Sequence, residues 1–358
     1  LMINTRLSIL NLTEKGNQPF VSKNQRYVIV FNGEIYNFKN LKNNLKEFKF
    51  YSNSDTEVLL NLFIKYKSKC LNMIEGMFSF AVYDSFKNEL FCARDQFGIK
   101  PFYYYRLNNQ FWFSSELKSF FVVNQNIKKN EKSIIRYLNS EYHEHIEETY
   151  YKNIFKVKPG YYIIIRNSKI IENQFWSFYK NYKKTILPKK HNERKEFLKI
   201  LINESVKKSM ISDVPISIAS SGGLDSSILQ LVAKKYNPQI NLVSWIFKES
   251  QFSEKKYINE ISKVTNLRSK MFCVTPNHFI KNIKEIIKIN EEPFSGLPVL
   301  AYYLCLKFAS KTKVILDGSG IDESHTGYNK YFDKKLSIKS HFSLAQDGSR
   351  SVFENIIN

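Results

Sequence analysis

The chain has 358 residues, 43% of them hydrophobic and 15% aromatic, and a formal net charge of +21. That length predicts two domains, each with its own core, and that composition excludes intrinsic disorder. No apolar run reaches the length of a bilayer span and no signal peptide is visible, so a cytoplasmic protein with no membrane partner is expected.

The lysines are spread along the whole chain among Asn, Ile, Phe and Tyr. This is a compositional bias rather than a basic face, so nucleic-acid binding is not expected, although acidic small substrates are favoured by the field. The cysteines, Cys70, Cys92, Cys273 and Cys305, lie far apart and form no CxxC pair. They read as reduced thiols. Leu1-Met2-Ile3 reads as the inside of a strand, and Asn358 comes without a natural stop. A longer parent sequence is expected at both ends.

In chain order, residues 1–176 are rich in strand signals. Tyr27–Phe31 predicts a buried strand. Phe78–Tyr83 with Glu89–Ala93, Phe102–Arg106 with Phe111–Ser115, and Gly160–Arg166 with Lys169–Gln174 predict hairpins. Helices are predicted over Phe38–Phe48 and over Asp55–Tyr66, the latter capped by Ser54. Short-turn strand pairs with helices packed on them indicate an α+β layered domain. Its polar landmarks are Arg6, Asn32-Gly33-Glu34, Ser54-Asp55-Thr56-Glu57 and Arg94-Asp95. Taken alone, Asn32-Gly33 reads as a hairpin turn and Asp55 as a first-turn helix acid. His143 and His145 lie among acids in what reads as a solvated charged loop.

Residues 177–193 are polar and basic and read as a linker. A second domain over 194–358 alternates helix and strand. A helix is expected over about Asn192–Ile211 and strands over Val214–Ala219, Asn241–Phe247, Ser269–Val274 and Lys313–Leu316. Helices are expected over Glu254–Thr265, Asn277–Asn290 and Val299–Ser310. This predicts an α/β doubly wound parallel sheet with its ligand at the carboxyl ends of the strands.

Two loops stand at such ends. Ser220-Ser221-Gly222-Gly223-Leu224-Asp225-Ser226-Ser227 lies between a strand and a helix. Its glycines permit close backbone approach, and the helix start offers N–H groups and a positive dipole end to a phosphate or pyrophosphate. No Gly-Lys-Ser/Thr follows, so it is not a Walker loop. The second is Asp317-Gly318-Ser319-Gly320-Ile321-Asp322-Glu323, with Gly327-Tyr328 beyond. Gly-x-Gly beside two carboxylates suits a nucleotide and its metal. Glu291-Glu292-Pro293 reads equally as an ordinary helix-ending loop or as an acidic site element.

Longer strings carry a resemblance. The first loop resembles the SGGxDS pyrophosphate loop of ATP pyrophosphatases. Arg6–Ile9, Gln18-Pro19, Phe31–Asn37, Ser54–Glu57, Gly76–Ala81 and Ala93–Pro101 follow in order and resemble the glutaminase domain of glutamine-hydrolysing asparagine synthetases. The loop after Leu316 resembles that family's GxGxDE…GY motif, and Glu291-Glu292-Pro293 its acid-acid-Pro motif.

The resemblance implies an αββα sandwich of the N-terminal-nucleophile type, followed by the ATP-pyrophosphatase sheet. It implies that an N-terminal cysteine attacks glutamine and releases ammonia, which travels inside the protein to an acyl-adenylate made from ATP. Asn32 and Gly33 match the oxyanion positions. Arg6 matches the glutamine carboxylate site, and Glu34 and Asp55 the ammonium site. Ser221, Gly222, Gly223, Asp225, Ser226, Asp317 and Gly318 match ATP and pyrophosphate positions. Asp225 and Asp322 match the site of Mg²⁺.

The implied substrates are glutamine, ATP and aspartate, or another small or sugar carboxylate, and a homodimer is allowed. Residue 1 is Leu1, and each of the four cysteines is internal and lacks a free α-amine. An ammonia-dependent ligase is therefore one alternative. A nucleotide-binding scaffold that docks a polyanion is another. Asp317, Ser319 and Ser324-His325-Thr326 depart from the family pattern and bear on the acceptor.

Overall fold

Nine strands build the first of two units, Leu1–Leu187. They are β1 (Phe20–Val21), β2 (Tyr27–Ile35), β3 (Gly76–Asp84), β4 (Glu89–Arg94), β5 (Tyr103–Leu107), β6 (Gln110–Ser114), β7 (Ile154–Lys156), β8 (Tyr161–Arg166) and β9 (Lys169–Gln174). The computed structural model describes residues 1–107, 110–140, 146–249, 251, 253–294, 297–309, 312–325 and 327, and all structural statements concern these. Six strands form an antiparallel sheet in the order β1-β2-β3-β4-β8-β9, and three form a second sheet in the order β6-β5-β7. Among the helices are α1 (Phe38–Asn43), α2 (Asp55–Tyr66), α3 (Lys118–Val123), α4 (Glu131–Ser140) and α5 (Phe178–Tyr182).

Strand periodicity decides what each face meets. Val30, Ala81, Cys92 and Ile163 turn one face of the large sheet onto Phe102, Phe113 and Val157. The opposite face, with Phe91, receives Phe63 of α2 at a ring separation of 4.8 Å. Beyond the small sheet, Tyr105 and Ile154 pack on Leu117 and Phe120 at α3. The layers are therefore helix, sheet, sheet, helix. Phe78, Phe80 and Phe120 are among the largest fully buried side chains. Truncating any of them to Ala would cost about 3–5 kcal/mol.

The second unit, Pro188–Asn358, alternates helix and strand. Its elements are α6 (His191–Ser209), β10 (Ile216–Ala219), α7 (Leu224–Tyr236), β11 (Asn241–Phe247), α8 (Lys255–Thr265), β12 (Ser269–Val274), α9 (Pro276–Asn290), α10 (Leu297–Phe308), β13 (Val314–Leu316) and α11 (Ile321–His325). The sheet runs β12-β11-β10-β13, and every pairing is parallel. Ile216, Ile218 and Leu242 pack on Val206, Leu229 and Val232 on one face. Val243 and Trp245 pack with Cys305 and Ala309 on the other. Strand order runs outward from β10 to β12 and then returns to the far side of β10. The carboxyl ends of β10 and β13 thus flank the point where the order reverses, where ligands bind in such sheets.

Several expectations are corrected. Leu1–Ile3 is not a strand. Asn32-Gly33 is not a turn: β2 runs through it to Ile35, with Gly33 opposite Phe78. The neighbour β3 lies so close that a Cβ on Gly33 would collide with the Met77 carbonyl and sit 2.8 Å from Phe78 Cα. The helix expected over Phe38–Phe48 stops at Asn43, where the Asn44 N–H turns back to Leu41 O at 3.0 Å. Consecutive asparagines compete with helical bonding there. Within residues 177–193, α5 is capped by Ser177 and α6 begins at His191. The two units divide at Leu187/Pro188. His143 and His145 lie outside the described residues. Among the described residues, no helix is long and apolar enough to cross a membrane.

Candidate active sites

The first unit encloses a cavity of about 670 Å³ lined by Arg6, Gln18, Asn32, Gly33, Glu34 and Asp55. Five of these are the residues singled out for glutamine. Extended β2 delivers Asn32 and Gly33 side by side. The Asn32 side-chain amide donates to Ser115 Oγ at 3.4 Å, which orients it. Asp55 enters from the first turn of α2, whose N-cap Ser54 accepts the Thr56 N–H at 3.1 Å. Glu57 Oε2 accepts Ser52 N–H and Ser52 Oγ–H, both at 2.7 Å, and so fixes the turn that aims the helix.

Asp55 is only 5% exposed. Burial raises its pKa to about 6, against the opposing pull of the Ile35 and Thr56 amides and the Arg6 charge. The Arg6 guanidinium is engaged with loop carbonyls, donating to Leu10 O at 2.7 Å, Asn11 O at 2.5 Å and Thr13 O at 3.2 Å. A ligand carboxylate must share or displace these bonds.

Gln18 braces the strand that carries Asn32. Its Oε1 accepts Phe31 N–H at 2.6 Å and its Nε2 donates to Phe31 O at 3.1 Å, so the side chain imitates a strand just before Asn32. Neither Gln18 nor Ser115 announces this role, because the partners lie far off in sequence. The cysteines of this unit are poor nucleophiles. Burial raises the Cys70 thiol to about 12 and the fully buried Cys92 well above its usual value.

In the second unit the Ser220–Gly223 turn joins β10 to α7. Gly222 has φ +79°, and a Cβ there would lie 2.5 Å from Tyr257 C and 2.6 Å from Ile258 N of α8. Only glycine fits. Ser221 Oγ lies 3.0 Å from Ser226 Oγ and accepts Gly223 N–H at 3.2 Å. The first N–H groups of α7 have no intrahelical acceptor and face the end of the strand.

Below the turn, Ser220 Oγ donates to Gln230 Oε1 at 3.1 Å and Gln230 Nε2 to Thr265 Oγ1 at 2.8 Å. Gln230 and Thr265 are fully buried. Spacing held a signal for Gln230: with Ser226 and Ala233 it falls on the buried stripe of α7.

The loop after β13 meets this turn. A Cβ on Gly318 would stand 3.0 Å from Asp225 Cβ and 3.3 Å from Ser226 N. The Asp322 backbone N–H lies within electrostatic reach of the Asp225 carboxylate. Burial, then the negative charge of Asp322, raises the Asp225 pKa. Asp317 accepts Tyr302 Oη–H and, through Oδ1, Ser319 N–H at 3.0 Å. Glu291 is the left-handed C-cap of α9, a helix-ending position. Among the described residues, no group of three or more His, Cys, Asp or Glu is placed to hold a metal by itself.

The glutamine amidotransferase domain family matches residues 1–176, and the asparagine synthase family matches residues 198–355. The chain belongs to the asparagine synthetase family. It is similar to asparagine synthetase [glutamine-hydrolyzing] 1 of Bacillus subtilis, with 33% identity over 93% of this chain and 52% of that protein. It is likewise similar to the putative asparagine synthetase [glutamine-hydrolyzing] 2 of Methanocaldococcus jannaschii, at 33% over 90% of this chain and 66% of that one. With asparagine synthetase [glutamine-hydrolyzing] 2 of B. subtilis it shares 31%, over 90% of this chain and 46% of that protein. The chain therefore spans about half to two thirds of these relatives' length.

Proposed function

We propose that this chain serves in an ATP-dependent amidotransferase that makes asparagine from aspartate with glutamine-derived ammonia. The observation that carries the reading is the meeting of the Gly222-Gly223 turn and the Asp317–Glu323 loop at the reversal point of one parallel sheet.

In the first unit, glutamine would place its ammonium at Asp55 and Glu34 and its carboxylate at Arg6. The Asn32 amide and the Gly33 N–H would receive the oxyanion as a nucleophile adds to the side-chain amide carbon, before the C–N bond breaks and ammonia leaves. In the second unit, the aspartate side-chain carboxylate attacks the α-phosphorus of ATP. The acyl-adenylate forms and pyrophosphate leaves into the Ser221–Ser226 turn, held by hydroxyls and the first N–H groups of α7. Ammonia then attacks the acyl carbon and AMP departs. Asp225 and Asp322 suit a Mg²⁺ ion, being close carboxylates whose repulsion a divalent cation relieves. Bound there, the ion would neutralise charge on the departing pyrophosphate.

Asp317, tied to Tyr302 and the Ser319 amide, stands where the family pattern has a serine, which favours testing other small or sugar carboxylates as acceptors. The test supplies the protein, as its gene encodes it, with ATP, Mg²⁺, glutamine and aspartate. Equal rises of glutamate, AMP and asparagine are expected. AMP and product only with ammonium would remove the glutaminase step. AMP only with another acid would overturn aspartate, and no AMP with any acceptor would overturn the enzyme.

A further inference from the structure

The Arg94–Pro101 segment has no part in the chemistry above, yet it is built with unusual care. Asp95 is 1% exposed. Its Oδ1 accepts the N–H of Phe97 at 3.0 Å and of Ile99 at 2.9 Å, and its Oδ2 those of Lys100 at 2.9 Å and Phe78 at 3.2 Å. Arg94 donates from Nε to Lys100 O at 2.8 Å, from Nη2 to Gly98 O at 2.7 Å and from Nη1 to Val157 O at 3.0 Å. Lys100 is thus held by its N–H on one side and its C=O on the other. Pro101 O is fixed too, by Ser79 Oγ at 2.9 Å. A lysine that only kept a loop in solution would need none of this.

Lys100 lines the same cavity as Arg6, Glu34 and Asp55. Its ammonium is half-buried, and Glu34 and Asp95 are the carboxylates acting on it. Asp95 is already committed to four backbone amides, whereas Glu34 faces the cavity. The charged side chains lining the cavity include Arg6, Lys100, Glu34, Asp55 and Glu116, and Glu116 is already paired with Lys118 Nζ at 2.8 Å, which leaves two cations, Arg6 and Lys100, and two carboxylates, Glu34 and Asp55, to meet a ligand. That balance suits a zwitterion, which brings one charge of each sign and no net charge. Without Lys100 the wall would be net negative and would prefer a cation.

We propose that Lys100 is a positioning residue for glutamine, offsetting Glu34 so that the cavity accepts a zwitterionic α-amino acid rather than a simple amine. The proposal rests on the reading of this cavity as the glutamine site.

Calorimetric titration of the whole chain at pH 8 tests it, with L-glutamine and with 4-aminobutanamide, which has the ammonium and the amide but no carboxylate. Lys100→Met keeps the apolar stem. It is expected to weaken L-glutamine about tenfold while leaving 4-aminobutanamide within about twofold of wild type or tighter. Lys100→Arg keeps the charge and is expected to hold L-glutamine within about threefold. Equal losses for both ligands in Lys100→Met, or unchanged glutamine binding, would overturn the role of Lys100 and leave the site standing. A tenfold loss in Lys100→Arg would overturn it as well, which keeps the test decisive if Lys100→Met does not fold. A wild-type chain that does not bind L-glutamine would overturn the site and the proposal together.

Discussion

The Asp55 carboxylate accepts the Ile35 N–H at 3.0 Å, joining the first turn of α2 to the last residue of β2. A buried acid is thereby held against the strand that carries Asn32 and Gly33. Its pKa of about 6 sets a pH dependence. Below that value Asp55 is neutral and has no charge to offer an ammonium. Glutamine affinity is expected to be level above pH 7 and to fall as pH drops through 6, and Asp55→Asn should flatten the profile. Calorimetry from pH 5 to 8 checks both.

The same residue makes a stability prediction of the opposite sign. Its folded pKa lies above the unfolded value of 3.8, so its contribution is most favourable below 3.8 and is lost as pH rises through 6. Asp55→Asn is therefore expected to stabilise the chain at pH 8 by about 1–2 kcal/mol, with the gain gone below pH 4. Urea unfolding at pH 4 and pH 8 measures it. A variant that binds glutamine worse while folding better marks a group kept for function.

Gly222→Ala should cost about 2 kcal/mol or more, because its methyl meets the α8 backbone and its φ is left-handed. Gly223→Ala should cost less, since Ser221 Oγ at 3.2 Å is the nearest obstacle. Denaturation of the two variants side by side decides it. Equal losses would mean that α8 does not constrain the turn.

Replacing Gln230 with Leu should destabilise the second unit by about 1–3 kcal/mol, because Ser220 and Thr265 each lose a buried partner. ATP binding should weaken as well, since Ser220 begins the turn proposed to hold the pyrophosphate. Titration of ATP into the variant provides the readout.

Asp322→Asn should reduce the Mg²⁺ dependence of ATP binding, because one of the two carboxylates assigned to the ion becomes neutral. ATP titrations with and without Mg²⁺ give the comparison, and an unchanged Mg²⁺ effect would remove Asp322 from the metal site.

Much of this was legible where function is local. Strand, Gly222-Gly223 turn and α7 follow one another within a short stretch, so their chemistry could be read in order. Asn32-Gly33 misled when taken alone, because that dipeptide favours a tight turn and only its partner β3 keeps it extended. Gln18, Ser115 and Lys100 were silent for a related reason. Each acts on a residue that only the tertiary fold brings near, and such polar side chains look like ordinary surface residues until that fold is known.

The late arrival of β13 beside β10 has a consequence for biosynthesis. Ile216 of β10 finds Val314 only after about a hundred further residues have been made. At a ribosomal pace of about 5–20 residues per second, that is an interval of several seconds or more. Throughout it the nascent sheet presents an apolar, unpaired margin at Ile216–Ala219. A nucleotide at the site proposed for it could not rescue a folding intermediate before then, because the loop that follows β13 forms one side of that site.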